Sequence, residues 1–427
     1  MLKVKPHLSE NLYLIALSWS LLILFCILQF TLQGAVGLMS VQLKQEFSLD
    51  ASALGILSSS LFYATSVIQL PGGFSYDKFG VRNVVVLSML TLASGCFLFA
   101  LSDVYILAIA GRICMGFGSG MAFLGLLAAT NSWSKKNEFA LYITIAEALI
   151  MLGVAICTPV LSWMSQNYGW RIAMNLCGIS SVILGLLTFL IFPKLQNDLA
   201  NATKSGSQMN PNKFLECLKS PALWLVSIAC GSSFIPVTVY ASLWAIPYLR
   251  TACSLDSVSA SSVAAMIFVG IGTGCPLLGY LNKKISGSAL MLTGTLMTLV
   301  FMSLILFSKN LSLMTYFILH FFLGFFCSNY QLAFPLICQY VPSEISNLAM
   351  SFVNMFTIIM AVILQPMAGF ILSAFEQASD GQAEVYSADQ YRYALALIPF
   401  FLGVASVCIQ ILRTKTNPYL ETREIVL

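Results

Sequence analysis

Charged side chains are scarce in this chain of 427 residues, because Asp, Glu, Lys and Arg together make up only 9% of it. Ordinary soluble domains contain about 25% of these residues. A soluble protein could not bury the apolar surface that remains around one core, so the composition excludes that class. The net charge of +4 is small and no basic helix is present, which argues against a nucleic-acid partner.

Groupings of metal-binding residues are also lacking. The chain has two histidines, and its 12 cysteines are mostly scattered singly through apolar runs without a CxxC pair. Because zinc sites need ligands at close spacing, we expect no metal and no cofactor. The cysteines are interpreted as free thiols that act as small apolar side chains. We find no nucleophile–base arrangement either, so the sequence does not predict an enzyme.

Long apolar runs are what the chain has in abundance, since hydrophobic residues make up 58% of it. Stretches of about 20 apolar residues are long enough to cross the hydrocarbon core of a bilayer as helices. We therefore predict an all-α membrane protein with twelve transmembrane helices, surrounded by lipid. The stretches are approximately 13–40, 52–71, 83–101, 104–130, 138–165, 171–192, 221–248, 258–281, 288–307, 311–340, 347–374 and 392–412.

The chain repeats itself with a step of about 206 residues, and Ser48-Leu49-Asp50 recurs as Ser254-Leu255-Asp256 before the next apolar run. Two halves built on one plan predict two six-helix bundles, with a substrate site between them. We assign residues 1–193 and 221–427 to the bundles and 194–220 to a polar cytoplasmic linker. Further matched pairs, some at a slightly longer step, are Gly73 and Gly279, Arg112 and His320, Gly116 and Gly324, Pro159 and Pro366, and Glu147 and Asn354.

The loops predict an orientation. With the N-terminus in the cytoplasm, fifteen Lys and Arg residues fall in cytoplasmic segments and five on the opposite side. This bias follows the positive-inside rule, so we expect both termini to be cytoplasmic and the protein to lie in the cell (inner) membrane. The first apolar run is too long for a cleaved signal and is expected to remain as the first helix.

Three ionisable residues are predicted at membrane depth, where an unpaired charge is costly. Arg112 is either an anion-binding or charge-relay group, or a structural group that pairs with Glu147 or caps a helix. Burial and a nearby guanidinium act on the protonation of Glu147 in opposite directions, as a proton-coupling residue requires; the alternative is a permanent salt bridge. His320 takes the place of Arg112 in the second half and either titrates during transport or is simply hydrogen-bonded in place.

Polar and aromatic side chains recur at the same predicted depth. Amides and aromatic rings in a mostly apolar bundle suit a site that orients a small polar solute, although hydrogen bonds between helices explain many of them equally well. The candidates are Gln29, Gln33, Tyr63, Tyr240, Trp244, Asn329, Tyr330, Gln331, Asn354 and Gln365.

One stretch carries a family resemblance. Gly73-Phe74-Ser75-Tyr76-Asp77-Lys78-Phe79-Gly80-Val81-Arg82 resembles the loop 2–3 signature of the major facilitator superfamily, G-x-x-x-D-[RK]-x-G-x-[RK]. Arg112 and Gly116 in the fourth segment and Gly169-Trp170-Arg171 before the sixth agree with it. The resemblance implies two six-helix bundles around a central cavity that work by alternating access.

The same resemblance implies a conformational latch on the cytoplasmic side. Asp77 is expected near Ser346-Asn347, where a helix N-terminus favours a carboxylate. The latch would consist of Gly73, Asp77, Lys78, Gly80 and Arg82.

The functional hypothesis is secondary active transport of a small organic solute such as an amino acid, a short peptide or an organic acid. Proton symport is preferred, because the fifth segment keeps Pro159 but lacks the glycines of the antiporter motif G-x-x-x-G-P-x-x-G-G. We expect protons and a small molecule as partners, and a monomer. The alternatives are a proton-driven exporter of a siderophore or amphipathic compound, and a membrane sensor that does not transport.

Overall fold

In the part of the chain that the structure describes, twelve helices are long and apolar enough to cross a membrane, as the twelve apolar stretches predict. The computed structural model describes residues 12–134, 138–192, 218–309, 311–341, 345–377 and 386–414. The first six helices are α1 Leu12–Gln33, α2 Ala51–Phe79, α3 Val81–Ala100, α4 Tyr105–Trp133, α5 Phe139–Tyr168 and α6 Trp170–Ile191. The last six are α7 Pro221–Cys253, α8 Ser257–Leu281, α9 Gly287–Phe307, α10 Leu313–Ile337, α11 Ser346–Gln377 and α12 Ala388–Thr414. Most of the predicted linker 194–220 lies outside the described residues.

Four of the described helices are irregular, and one of them, α12, is interrupted at Ala396. α1 ends at Gln33 and is followed by two short helices, Ala35–Leu38 and Ser40–Phe47. α7 contains a π-helical stretch, Pro236–Trp244, and α10 contains a 3₁₀ stretch, Ser328–Leu332. Irregular backbone at membrane depth is tolerated only where protein buries it or where it borders a cavity. π-Helical turns also occur frequently at functional sites, so the interior between α1, α7 and α10 is where a site is expected.

The repeat is confirmed in the backbone at its most similar point. Ser48 and Ser254 have φ angles of 52° and 53° and are the only non-glycine residues with positive φ in the described part of the chain. Each Ser is followed two residues later by an Asp that caps the next helix. Asp50 accepts a hydrogen bond from the Ala53 N–H at 2.8 Å, and Asp256 accepts one from the Val258 N–H at 3.0 Å. The two halves therefore turn from one helix into the next in the same way.

Glycines at equivalent positions let helices approach closely in both halves. A Cβ atom added to Gly116 of α4 would lie 2.1 Å from the carbonyl oxygen of Leu61 in α2. In the second half, a Cβ atom on Gly324 of α10 would lie 1.9 Å from the carbonyl oxygen of Ile267 in α8. Small residues commonly allow such contacts between membrane helices, and here the same contact occurs twice.

Gly324→Ala is therefore expected to destabilise the protein by about 1–3 kcal/mol, because a backbone oxygen cannot move aside as a side chain can. The loss is measured as a lower midpoint of thermal unfolding in detergent. Gly279→Ala in α8 is the matched control, since nothing lies within 4 Å of a Cβ atom there. An unchanged midpoint for Gly324→Ala would contradict the close contact between α10 and α8.

The sequence signature between the second and third helices lies mostly on a helix rather than in a loop. α2 continues to Phe79, so Gly80 alone forms the turn, with a φ of 78°. Arg82 donates to the Phe189 carbonyl at the end of α6 and lies over the Phe189 ring, while Lys78 is exposed. The side chains of Asp77 and residues 346–348 are outside the described set, so the latch stays a prediction.

The two halves meet along two seams. α5 packs against α8 on one side, and α2 packs against α11 on the other. The side chains that face away from these seams are largely apolar and exposed, as on α6, where Ile183 and Leu186 point outwards. This distribution suits a lipid-facing exterior and leaves the polar groups for the interior.

Candidate functional site

Arg112 is completely buried and binds carbonyl oxygens. Nη1 donates to the Leu32 carbonyl at 2.8 Å, and Nη2 donates to the Ser58 carbonyl at 3.2 Å. A longer contact of 3.5 Å joins Nη2 to the Gln33 carbonyl. α1 ends at Gln33, so its last carbonyls lack partners within the helix, and the guanidinium supplies them. Of the roles predicted for Arg112, helix capping is the one that this conformation displays.

The ion pair between Arg112 and Glu147, one of the alternatives left open by the sequence, is not formed in this conformation. Glu147 instead accepts a hydrogen bond of 2.6 Å from the Tyr330 hydroxyl. The two side chains leave their helices in different directions: Arg112 points to α1 and α2, whereas Glu147 points across the interface to α10. None of the described carboxylates forms an ion pair with Arg112, whose Nε also lacks a partner.

The contact between Glu147 and Tyr330 joins the two halves of the molecule. Tyr330 belongs to the 3₁₀ stretch of α10, and its ring lies 4.2 Å from that of Phe234 in α7. Asn354, the repeat equivalent of Glu147, also reaches across, because its amide donates to Gln69 of α2 at 3.3 Å. Equivalent positions thus each make a polar contact between the two halves.

His320 has a partner on each ring nitrogen. Nδ1 lies 2.7 Å from the Tyr316 carbonyl oxygen, and Nε2 lies 3.0 Å from the Tyr240 hydroxyl. A carbonyl oxygen only accepts, so Nδ1 carries a proton, and in the neutral ring Nε2 accepts from Tyr240. This geometry is what a histidine held in place would display. It also ties α10 to the π-helical stretch of α7.

The other predicted polar residues are dispersed. Each makes hydrogen bonds to neighbouring helices or within its own helix, so they do not converge on one cavity. Trp244 donates to the Gln365 carbonyl, Asn329 accepts from Thr295, Tyr63 accepts from Ser59, Gln33 donates to Gln29, and Gln365 donates to Thr238 and Ser242.

A cavity lies between the halves. Among its polar lining residues, one was predicted as a site residue from the sequence and three were not. The cavity is narrow in this conformation, with room for about one water molecule, and is bordered by α1, α5, α7 and α8. Gln33 was predicted; Thr31, Thr158 and Ser242 were not. Hydroxyl residues within apolar helices usually bond to their own helix, so their type and spacing gave no signal. Thr158 does precede Pro159, where a helix is commonly loosened.

The halves are closed against each other at the face where α1 ends and α2 begins, which we call the outer face, after the predicted orientation. The Ser52 N–H donates to Ser373 Oγ of α11 at 3.0 Å, and Ser373 Oγ donates to Asp50 at 3.0 Å. The Ala51 N–H donates to the Tyr386 hydroxyl at 3.3 Å, and Lys44 lies over the Tyr386 ring. On the other seam, Ser162 of α5 donates to the Ser257 carbonyl at 3.2 Å.

The Asp50 carboxyl group is set up to be ionised. Partial burial raises its pKa, but hydrogen bonds from the Ala53 N–H and from the hydroxyls of Ser52 and Ser373 outweigh this, and the pKa lies below the ordinary 3.8. Because the pKa is lowered in the closed state, the stabilisation is fully present well above pH 4. It is lost as the pH falls through the lowered pKa.

Asp50→Asn is expected to loosen the outer face while keeping the helix cap, since asparagine also caps helices well. Loss of hydrogen bonds to a charged group corresponds to roughly a tenfold shift toward opening. Hydrogen exchange at the start of α2 and the end of α11 measures it, and the wild type should not vary between pH 5 and 8. Asp256→Asn is the control, because Asp256 bonds only within its own half. Equal exchange in both variants would contradict a closing role for Asp50.

Known proteins share this architecture. A model described as Major Facilitator Superfamily matches residues 21–267 and 228–424. A bacterial homolog of the human lysosomal transporter Spinster, in an inward-facing and occupied conformation, has a similar fold. The TM-score is 0.75 at 13% identity, over 97% of this chain and 100% of that one.

Two curated relatives from Bacillus subtilis (strain 168) are also similar. A probable galactarate/D-glucarate transporter is 25% identical over 150 residues, which cover 34% of this chain and 33% of the relative. A hexuronate transporter is 22% identical over 262 residues, which cover 59% of this chain and 61% of the relative. The matched stretches thus span between a third and three-fifths of these relatives' lengths.

Proposed function

The chain belongs to the major facilitator superfamily, and from that premise we propose that it is a secondary active transporter for a small organic acid. The transporter works by alternating access and couples uptake to protons. It acts as a monomer in the cell membrane, with both termini in the cytoplasm. Among the solutes considered from the sequence, the organic acid is favoured by the two relatives, whose names specify transport of galactarate or D-glucarate and of hexuronate.

The observation that carries the proposal is the charge of Arg112. The side chain is fully buried, is contacted by neutral carbonyl oxygens, and has an Nε–H without a partner. A buried positive charge that lacks an anion is unfavourable, and a carboxylate supplies both the charge and the acceptor. The described residues supply no anionic partner for Arg112, and a substrate carboxylate would be that partner.

Alternating access is supported by contacts that must break when the halves rock. The closed outer face and the bond between Glu147 and Tyr330 both join the first half to the second. Rocking that separates α5 from α10 would leave the Glu147 carboxylate without its hydroxyl donor. A bare buried carboxylate is costly, and protonation removes that cost. Proton binding at Glu147 would thus permit the movement, which links proton flow to transport.

The proposal is tested with purified protein in liposomes. Labelled organic acids, amino acids and short peptides are offered with and without an inward proton gradient. We expect an organic acid to accumulate only with the gradient, and not when a proton carrier abolishes it. Accumulation driven by a gradient of the opposite direction would instead indicate an exporter. Binding without any counterflow of labelled solute would indicate a sensor and refute transport.

A further inference from the structure

We infer that the cavity between the halves is a subsite for the uncharged hydroxyl groups of the substrate, so that the transported acid is a hydroxylated one. This inference rests on the proposed function and specifies its substrate. It is carried by the direction of the hydrogen bonds in the cavity wall.

The hydroxyl side chains of the wall donate away from the cavity. Thr31 donates to the Ile27 carbonyl at 2.8 Å, and Thr158 donates to the Val154 carbonyl at 2.7 Å. Ser242 donates to the Thr238 carbonyl at 2.5 Å. A hydroxyl has one proton to donate and two lone pairs that accept. Since each proton is engaged within its own helix, these three residues present only lone pairs to a bound molecule.

The amides beside the cavity add further acceptors. Gln33 donates through Nε2 to Gln29 at 2.9 Å, and its Oε1 has no hydrogen bond among the described residues. Behind Ser242, the buried Gln365 donates to Ser242 Oγ at 2.8 Å, while its own Oε1 lacks a partner. Of the two amides, only Gln33 borders the cavity, so its Oε1 is the acceptor that a ligand with a hydrogen-bond donor would satisfy.

The charges around the cavity determine which type of hydrogen-bond donor can bind there. A carboxylate only accepts, so it would face lone pairs in this cavity and gain no hydrogen bond from the three hydroxyls. An ammonium group donates, but none of the residues that border the cavity is acidic. The guanidinium of Arg112 also contacts the Gln33 carbonyl, which places a positive charge next to the cavity wall. An alcohol hydroxyl donates a hydrogen bond and is uncharged, so it suits this cavity better than a carboxylate or an ammonium group.

The cavity wall combines apolar side chains with a few polar groups. Phe30 and Phe268 border the cavity together with aliphatic side chains, and the polar groups come from both halves of the molecule. Apolar surfaces with a few directed polar groups are typical of sites that fix the orientation of a small solute. With its carboxylate at Arg112, an acid would direct a nearby hydroxyl past Gln33 into the cavity, and a longer hydroxylated chain would enter as rocking of the halves widens it. The spacing of hydroxyls along that chain would then determine specificity.

The test compares three six-carbon diacids as competitors in proteoliposomes: D-glucarate, which has a hydroxyl on each inner carbon, adipate, which has none, and 2-aminoadipate, which has an ammonium group. We expect glucarate to bind most tightly, by roughly three- to tenfold over adipate for each hydroxyl bonded to the wall. Thr158→Val keeps the side-chain shape and removes the acceptor, and should reduce that preference by about the same factor.

Thr273→Val is the matched control, because Thr273 makes the same type of bond, to the Val269 carbonyl at 3.0 Å, on an exposed face. It should leave the preference unchanged. If adipate or 2-aminoadipate binds wild-type protein as well as glucarate does, the inference is wrong while organic-acid transport stands. An undiminished preference in Thr158→Val would also overturn it. Failure of all three diacids to bind would overturn the inference, and the proposed function would fall with it if no other labelled organic acid is accumulated.

Discussion

Glu147→Gln is expected to abolish accumulation of substrate driven by a proton gradient and to leave counterflow between equilibrated compartments within about twofold of wild type. Glutamine keeps the shape of the side chain, and its oxygen still accepts the Tyr330 hydroxyl, but it cannot exchange a proton at neutral pH. For one proton per substrate, a pH difference of one unit sustains about tenfold accumulation in wild-type protein. The variant should reach a ratio near one.

Tyr330→Phe tests the partner in the same contact. It removes the hydroxyl donor but leaves the Glu147 carboxyl group, so Glu147 should bind its proton before the halves rock, and accumulation should fall below the wild-type ratio without being abolished. A Glu147→Gln protein that still concentrates substrate would refute coupling at Glu147. His320 would then be the next residue to test, since it is the other titratable side chain predicted at this depth.

Arg112→Lys is expected to weaken substrate binding by at least about a hundredfold, although the charge is retained. A guanidinium binds a carboxylate through two parallel N–H groups, and each hydrogen bond to a charged group contributes about 1.5–3 kcal/mol. An ammonium cannot reproduce this geometry, nor can it reach the Leu32 and Ser58 carbonyls in one plane. Binding is measured by calorimetry with the free acid and with its ester.

The ester separates the two roles of Arg112. If Arg112 binds the substrate, the ester should bind wild-type protein as weakly as the acid binds the variant, and the variant should hardly distinguish them. If it only caps α1, thermal stability falls in the variant while wild-type protein binds acid and ester equally. Arg392→Lys controls for surface charge, because Arg392 bonds to Asp389 and the Leu306 carbonyl, away from the proposed site.

Much of the fold followed from the length of the apolar runs, whereas the partners of buried side chains did not. Depth can be counted along a helix, so Arg112 and Glu147 were assigned to similar levels. The rotation of a helix about its own axis is set by packing against its neighbours, which one sequence does not contain. For this reason the sequence could not decide between an ion pair with Arg112 and another partner for Glu147, which contacts Tyr330, a residue predicted only as a separate candidate.

The irregular helical segments could also be predicted only in part from the sequence. Pro236 indicates a loosened helix, but not a π-helical stretch that continues to Trp244. The repeated Ser-Leu-Asp did signal a shared corner, yet the sequence did not indicate that Asp50 alone would bond across the halves. That difference depends on Ser373, which lies more than three hundred residues away along the chain.

At the outer face, the two seams are held by different numbers of described hydrogen bonds. Between α2 and α11, Asp50, Ser52 and Ala51 hold the halves through Ser373 and Tyr386, whereas Ser162 makes the described hydrogen bond between α5 and α8. When the halves rock apart, the seam with fewer hydrogen bonds is expected to separate first. The first gap at the outer face should therefore form between α5 and α8, next to Thr158, so that a solute entering from outside would meet the hydroxyl wall before it reaches Arg112.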